Sequence, residues 1–322
     1  MHTVTPFRKL AGAISLGLGL GMSLFAHNAL AAEPASCQTV RFTDPGWSDI
    51  SSTNALASTV LNGLGYQTEI STLAVPIGFE GLKNNEIDVF LGNWMPAQQK
   101  FIDKYATPGD IDIIGENLEG AKFTLAVPRY AYDAGVKDFS DLAKFDNKFR
   151  QRIYGIEAGA PANQLLQKMI DSGDFDLTKW RLVESGEQGV MSQVKRDIKR
   201  KQFIVFLGWE PHPMNSNFEM AYLTGGDKYF GANFGGATIQ TLTRKGYQQE
   251  CTNVGKLLNN LKFSLQMENQ MMAYIMEGGQ QPADAARKYL EQNPDALNNW
   301  LDGVTTKDGG DALAAVRGYL NI

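Results

Sequence analysis

The chain has 322 residues, of which 43% are hydrophobic and 20% are charged, with a formal net charge of −5 at pH 7. This balance excludes a disordered chain and a polytopic membrane protein, and the length allows one large or two medium domains. The acidic balance argues against a nucleic-acid-binding surface built on Lys and Arg. Two cysteines, Cys37 and Cys251, are too few for a four-cysteine zinc site or a disulfide-dense scaffold.

The first 31 residues have the three regions of a secretory signal peptide. Arg8 and Lys9 give a basic start, Leu10–Ala26 is an uncharged apolar run, and Ala29-Leu30-Ala31 is a small-residue cleavage signal. The alternative is a membrane anchor, but the run is rich in glycine and short for a span of roughly 20 residues. We therefore predict a cleaved signal peptide over residues 1–31, export to the periplasm, and a mature chain that begins near residue 32.

Export has a consequence for the two cysteines. An oxidising compartment favours a disulfide between Cys37 and Cys251, which would tie the mature N-terminus to a segment near residue 250. The alternative is a pair of buried free thiols.

Strand-like and helix-like segments alternate along the mature chain, which is the pattern of an α/β fold with parallel strands. The first unit has strands at 40–43, 67–73 and 87–91 and helices at 48–64 and 79–84. The second unit has strands at 122–127, 152–156, 180–183 and 203–207 and helices at 139–144, 162–172 and 188–200. A further strand is predicted at 237–243, and the chain from residue 253 onward is mostly helical.

Two similar units predict two lobes with a ligand cleft between them. We expect lobe 1 to comprise residues 32–121 and 238–322, and lobe 2 to comprise residues 122–237. The chain would then cross the hinge twice, near residues 121 and 237. A short internal repeat supports this division. Both Ile87–Pro96 and Phe203–Pro211 contain Phe-Leu-Gly followed by a Trp and a Pro.

Three of the five tryptophans follow predicted strands, namely Trp47, Trp94 and Trp209. Ligands of open α/β sheets bind at the carboxyl ends of strands. Each tryptophan could be a packed loop anchor, but together they suggest an aromatic box for an organic cation, since ring faces attract a cation by roughly 0.5–2 kcal/mol each. Trp180 and Trp300 fit a structural role in the core better.

The same segments resemble motifs of the periplasmic choline-binding proteins, which supply ABC importers and lie within the wider group of glycine betaine and carnitine binders. The resemblance runs over nearly the whole mature chain, and four segments carry it: Asp44–Ile50 (Asp-Pro-Gly-Trp-Ser-Asp-Ile), Leu91–Pro96 (Leu-Gly-Asn-Trp-Met-Pro), Leu207–Asn215 (Leu-Gly-Trp-Glu-Pro-His-Pro-Met-Asn) and Ser264–Asn269 (Ser-Leu-Gln-Met-Glu-Asn). It implies a two-lobed type II periplasmic binding protein fold with a hinge and an interlobe cleft.

The resemblance also implies roles for individual residues. Trp47, Trp94 and Trp209 match the box tryptophans, and Asp49 matches the carboxylate that faces the choline hydroxyl and cation. Phe123 stands where the family pattern has a tyrosine, so the ring is kept and the hydroxyl is lost.

A second departure from the family pattern lies at Ala160, which stands where the choline binders have an asparagine that bonds the choline hydroxyl. Asn163 could partly compensate or belong to the start of a helix. Choline is the expected ligand, and carnitine or glycine betaine is the alternative. A carboxylate on the ligand would be repelled by Asp49 and would need a donor, for which Arg129 and backbone N–H groups near Gly159 are the candidates.

The competing class of protein is a secreted hydrolase of a choline derivative. The mature chain keeps only one histidine, His212, which lies between two prolines, and no Gly-x-Ser-x-Gly elbow accompanies it. No His or Cys cluster has metal-ligand spacing, so we expect neither a metal nor a cofactor. We therefore expect a monomeric binding protein rather than an enzyme, with no nucleic-acid partner. The resemblance implies a membrane permease and its ATPase as partners.

Overall fold

The computed structural model describes residues 33–322. The predicted signal peptide, residues 1–31, lies outside the described residues. None of the helices in the described range is both long and apolar enough to cross a membrane.

Residues 33–322 contain nine strands in a single sheet. The strands are β1 (Thr39–Asp44), β2 (Gln67–Thr72), β3 (Val89–Met95), β4 (Ile111–Pro128), β5 (Arg152–Tyr154), β6 (Arg181–Val183), β7 (Val205–Glu210), β8 (Met220–Tyr222) and β9 (Gly236–Arg244).

The order of the strands is β2-β1-β3-β9-β4-β7-β5-β6, and β8 pairs with β4 beside this path. β1 pairs in parallel with β2 and β3, and β5 pairs in parallel with β6 and β7. Between these two parallel blocks, β9 and β4 run antiparallel to their neighbours. The sheet is therefore mixed, with one parallel block on each side of a central antiparallel pair.

The longer helices have at least eight residues each and are numbered here in chain order. They are α1 (Ser48–Gly63), α2 (Val75–Lys83), α3 (Pro161–Asp171), α4 (Glu187–Lys199), α5 (Thr252–Asn260), α6 (Leu265–Met272), α7 (Pro282–Gln292) and α8 (Ala312–Leu320).

Short helical segments connect these elements. Short α-helical turns lie at Gln99–Phe101, Arg129–Asp133, Asp146–Phe149, Met214–Asn217, Asp227–Phe230, Ala232–Gly235, Tyr247–Glu250 and Ala296–Trp300. Segments of 3₁₀ helix lie at Ala35–Cys37, Phe139–Phe145 and Asp174–Asp176, and π-helical turns lie at Ile102–Ala106 and Ala273–Glu277.

Helix α1 is buried over nearly its whole length and packs against the C-terminal helices α6, α7 and α8. Two of its buried polar side chains bond to nearby backbone: Ser52 Oγ donates to Ser48 O, and Asn54 Nδ2 donates to Thr43 O. A rigid, fully packed helix therefore follows β1 directly and fixes the position of the residues at its first turn.

Strand β4 is much longer than the predicted segment 122–127. It pairs with β9 from Ile111 to Lys122 and with β7 from Lys122 to Ala126. The hydrophobic pattern of the sequence does not show the full first half of β4, because polar residues interrupt the apolar alternation there. In the structure, the pairing with β9 shifts register between Ile113 and Gly115. The α/β class and the positions of most helices agree with the prediction.

The disulfide between Cys37 and Cys251 is present, with 5.5 Å between the two Cα atoms, and it confirms the predicted pairing. It links the start of the described chain to the residue that precedes α5, across a sequence separation of 214 residues. Such a cross-link restricts the unfolded chain strongly.

We expect thiol titration of the unfolded, unreduced protein to find no free thiol. Replacing both cysteines by alanine should lower the free energy of unfolding by about 2–5 kcal/mol, because the unfolded chain then gains conformational freedom. Denaturant unfolding of the variant measures the change, and two reactive thiols per wild-type chain would contradict the disulfide.

Candidate ligand-binding site

Four aromatic side chains surround a cavity that is lined by residues of the central strands β3, β4 and β7. The cavity leaves about 460 Å³ free of protein atoms, including its opening to solvent. Its lining residues are Trp47, Asp49, Trp94, Ala97, Gln98, Phe123, Ile156, Pro161, Ala162, Leu207 and Trp209.

The aromatic residues reach the cavity from four different elements. Trp47 immediately precedes α1, and Trp94 is the penultimate residue of β3. Phe123 on β4 lies directly opposite Trp209 on β7 in the antiparallel register. Trp94 and Trp209 thus lie within the ends of their strands rather than after them, because both strands continue past the predicted limits.

Two glycines make room for this arrangement. A Cβ at Gly92 would lie 2.7 Å from the Phe90 ring and 2.8 Å from Ile50, so glycine lets α1 pack closely on β3. A Cβ at Gly235 would lie 1.8 Å from the carbonyl oxygen of Phe123. The backbone that carries Trp94 and Phe123 can therefore approach its neighbours only because no side chain intervenes.

The rings support one another by edge-to-face contacts. The ring centroids of Trp94 and Phe123 lie 6.2 Å apart at 85°, and those of Phe123 and Phe230 lie 5.5 Å apart at 78°. The imidazole of His212 lies 4.7 Å from the Trp209 ring at 60°. These contacts orient the rings around the cavity.

Hydrogen bonds orient two of the indole rings. Trp47 Nε1 donates to Glu157 Oε1 at 2.9 Å, and Trp94 Nε1 donates to Asp49 Oδ2 at 3.0 Å. Both polar edges are thereby used within the protein, which leaves the π faces as the groups that can contact a ligand.

Asp49 is the only charged residue that lines the cavity within the described part of the chain. It is 2% exposed, and burial raises its pKa to about 7. The negative charge of Glu187 acts in the same direction, whereas the hydrogen bond from Trp94 opposes the shift. A buried carboxyl with this environment is stabilised in its ionised form by an added positive charge.

Further acidic residues lie behind the cavity. Burial raises the pKa of Asp44, Glu157 and Glu268, and the charge of Asp49 adds to the shift at Glu268. Among the described residues that line the cavity, none is Lys, Arg or His. The electrostatic surroundings therefore suit a cation and oppose an anion.

The structure brings together five of the predicted site residues, Trp47, Asp49, Trp94, Phe123 and Trp209. Two others, Ala160 and Asn163, are not among the residues that line the cavity. Ala160 is buried beside the lining residue Pro161.

The amide of Asn163 is used within the protein. Its Oδ1 accepts from Ile156 N, and its Nδ2 donates to Ile156 O, Glu157 O and Glu184 Oε1. Asn163 therefore fastens α3 to the loop after β5. Arg129 is exposed and stacks on Tyr132, away from the lining residues.

Six lining residues were not predicted: Ala97, Gln98, Ile156, Pro161, Ala162 and Leu207. Gln98 follows the Leu-Gly-Asn-Trp-Met-Pro motif closely, so its position was a usable signal. Its Nε2 donates to Gly92 O, while its Oε1 is buried and has no partner among the described residues. The other five have ordinary apolar side chains, which carry no local signature of a binding site.

Comparison with known proteins identifies a matching family and a similar solved structure. Residues 38–292 match the family described as the substrate-binding domain of an ABC-type glycine betaine transport system. A solved ABC-transporter choline-binding protein in complex with choline is 51% identical, with a TM-score of 0.88, covering 89% of this chain and 100% of that one.

Two curated relatives also match. An uncharacterised protein, ORF1, of Chromohalobacter salexigens is 52% identical over 131 residues, which is 41% of this chain and 84% of the relative. The glycine betaine/carnitine transport binding protein GbuC of Listeria monocytogenes is 30% identical over 176 residues, which is 53% of this chain and 57% of the relative.

The fold is that of the periplasmic binding proteins, and the alternative of a secreted hydrolase finds no support among these relatives. Transport proteins of this kind bind their substrate without converting it. The chain belongs to the family of substrate-binding domains of ABC-type glycine betaine transport systems.

Proposed function

We propose that the protein captures choline in the aromatic cavity and delivers it to an ABC importer. The observation that carries this proposal is the meeting of four aromatic side chains with one buried carboxylate, Asp49, at a single cavity. A quaternary ammonium offers no hydrogen-bond donor at nitrogen, so ring faces and a negative charge are the groups able to hold it.

The lining favours choline over glycine betaine and carnitine. Both of those compounds carry a carboxylate, and the described lining offers it no basic side chain. The N–H groups of Trp47 and Trp94 are already bonded to Glu157 and Asp49. By contrast, a hydroxyl donor would find an acceptor in the Asp49 carboxylate, which lines the cavity.

We further propose that the molecule works as two lobes, residues 32–121 with 238–322 and residues 122–237. Trp47 and Trp94 would then belong to one lobe, and Phe123 and Trp209 to the other. A ligand held by all four rings bridges the lobes and stabilises the closed arrangement through its higher affinity for it. The passage of β4 from β9 to β7 at Lys122 supports this boundary.

Family members are periplasmic or extracellular binding proteins, and we propose a periplasmic location for this chain, with a membrane permease and its ATPase as the receiving partners. The closed, liganded form would dock on the permease, and the ATPase would supply the energy for uptake.

Calorimetric titration with choline, carnitine, glycine betaine and acetylcholine tests the ligand. We expect choline to bind at least about tenfold more tightly than glycine betaine or carnitine, since a repelled carboxylate costs about 1.4 kcal/mol or more. Tighter binding of glycine betaine or carnitine would contradict the choline proposal, and no binding of any of the four would contradict the ligand class.

Removing one ring tests the aromatic cavity. Trp94→Ala should weaken choline binding by about 2 kcal/mol, roughly thirtyfold in Kd, because one cation–π face is lost. Trp180→Phe is a suitable control, since Trp180 is buried against Phe149 away from the cavity lining. Unchanged affinity of Trp94→Ala would refute the role of this ring.

The raised pKa of Asp49 predicts a pH dependence of binding. The carboxyl must lose its proton to attract a cation, and its pKa in the ligand-free protein is about 7. Protons therefore compete with the ligand as the pH falls below 7. We expect the Kd for choline to rise by about thirtyfold between pH 8 and pH 5.5.

Asp49→Asn provides the matched control for this effect. The amide can still accept from Trp94 Nε1, but it does not titrate, so binding should be weaker at pH 8 and nearly flat between pH 8 and pH 5.5. Parallel pH profiles for the variant and the wild type would show that Asp49 is not the titrating group.

A further inference from the structure

A second buried acid, Glu187, joins two segments that carry residues of the cavity. Glu187 is the first residue of α4, and its side chain is 3% exposed. Its Oε2 accepts from Ser48 N at 2.8 Å, and its Oε1 accepts from Ser48 Oγ and from His212 Nε2, both at 2.6 Å.

The Ser48 bonds cap the N-terminus of α1. Trp47, the N-cap residue, makes no side-chain capping bond, so its helix lacks the usual local acceptor. Glu187, 139 residues away in sequence, supplies the acceptor instead and brings a negative charge to the positive end of the helix dipole. The capped residue, Ser48, lies between Trp47 and Asp49.

The His212 bond reaches the opposite side of the cavity. His212 Nδ1 accepts from Met214 N at 2.9 Å, so the ring proton is on Nε2 and is donated to Glu187. The same imidazole packs against the Trp209 ring. One carboxylate is therefore connected to Trp47 and Asp49 through Ser48, and to Trp209 through His212.

We propose that Glu187 is a positioning residue that couples lobe closure to assembly of the aromatic cavity. This inference rests on the proposed function, because Ser48 falls in lobe 1 and both Glu187 and His212 fall in lobe 2. Separation of the lobes breaks the two Ser48 bonds and leaves α1 without its cap, whereas closure restores them and brings Trp47 to the cavity beside Trp209, which His212 and Glu187 hold within lobe 2. Glu187 does not touch the ligand.

Kinetics of choline binding, followed by tryptophan fluorescence in a stopped-flow instrument, test the proposal. We expect Glu187→Ala to raise the dissociation rate constant at least tenfold and to leave the association rate constant within about twofold, because the closed state is weakened and the open state is not. Glu291→Gln, at an exposed position of α7, removes the same charge and should match the wild type.

Two further variants separate the hydrogen bonds from packing. In Glu187→Gln the side-chain oxygen can still accept from Ser48, but the NH2 group then meets the N–H of His212, so that hydrogen bond is lost. His212→Phe keeps a ring beside Trp209 and removes the Nε2 donor. Each should raise the dissociation rate constant, and the double variant should raise it by less than the product of the single effects. Multiplicative effects, or a dissociation rate constant in Glu187→Ala within twofold of the wild type, would overturn the proposal.

Hydrogen exchange at the Ser48 amide reports the fraction of molecules in which the cap from Glu187 is formed. Without ligand, the closed molecules protect this amide in the wild type, so it should exchange faster in Glu187→Ala, and saturating choline should enlarge the difference to at least tenfold. Equal exchange in both would overturn the capping role. Failure of wild-type protein to bind choline, with the exchange difference intact, would instead contradict the proposed function and leave the Glu187 contacts supported.

Discussion

A buried carboxylate without a basic partner dominates the electrostatics of this cavity. Asp49 is almost fully removed from water, and its side chain accepts the indole N–H of Trp94. Burial of an ionised group at this depth is unfavourable unless a positive charge compensates it. The charge of Asp49 therefore has no basic partner within the described chain, and under the proposed function a cation between the rings compensates it.

Another buried acid in the same half of the sheet shows the contrast. Asp88 is fully buried, but Arg41 and Arg244 donate to both of its oxygens at 2.8–2.9 Å. The two arginines compensate the negative charge of Asp88. Because Arg41 lies on β1 and Arg244 on β9, the carboxylate also links these two strands. Asp49 has a comparable burial and no such pair, so the protein compensates the charge of Asp88 but not that of Asp49.

The mixed sheet explains how distant residues reach one cavity. The parallel block of β1 and β3 carries Trp47 and Trp94 to its carboxyl edge, while the antiparallel pairing of β4 with β7 places Phe123 opposite Trp209. Glu157 accepts a hydrogen bond from Trp47. His212 packs against Trp209 and is itself hydrogen-bonded to Glu187. In this arrangement, contacts within the protein orient the rings around the cavity.

The sequence by itself determined the α/β class, the boundaries of α1 within a residue, the pairing of two lone cysteines, and five residues that meet at the cavity. The fold class and α1 follow from local periodicity, and the cysteine pairing follows from two cysteines in an exported chain. The three tryptophans follow from their places at strand ends, whereas Asp49 and Phe123 were implied by the resemblance to the choline-binding family. Only the tertiary structure decided the full length of β4 and the contribution of Ile156, Pro161 and Ala162 to the lining. It also decided that the amide of Asn163 bonds α3 to the loop after β5. It also decided that Glu187 caps a helix 139 residues away. Contacts of this kind arise from strand register and helix packing between segments that are distant in sequence. The residues next to an apolar or acidic side chain in the sequence therefore do not predict its partner.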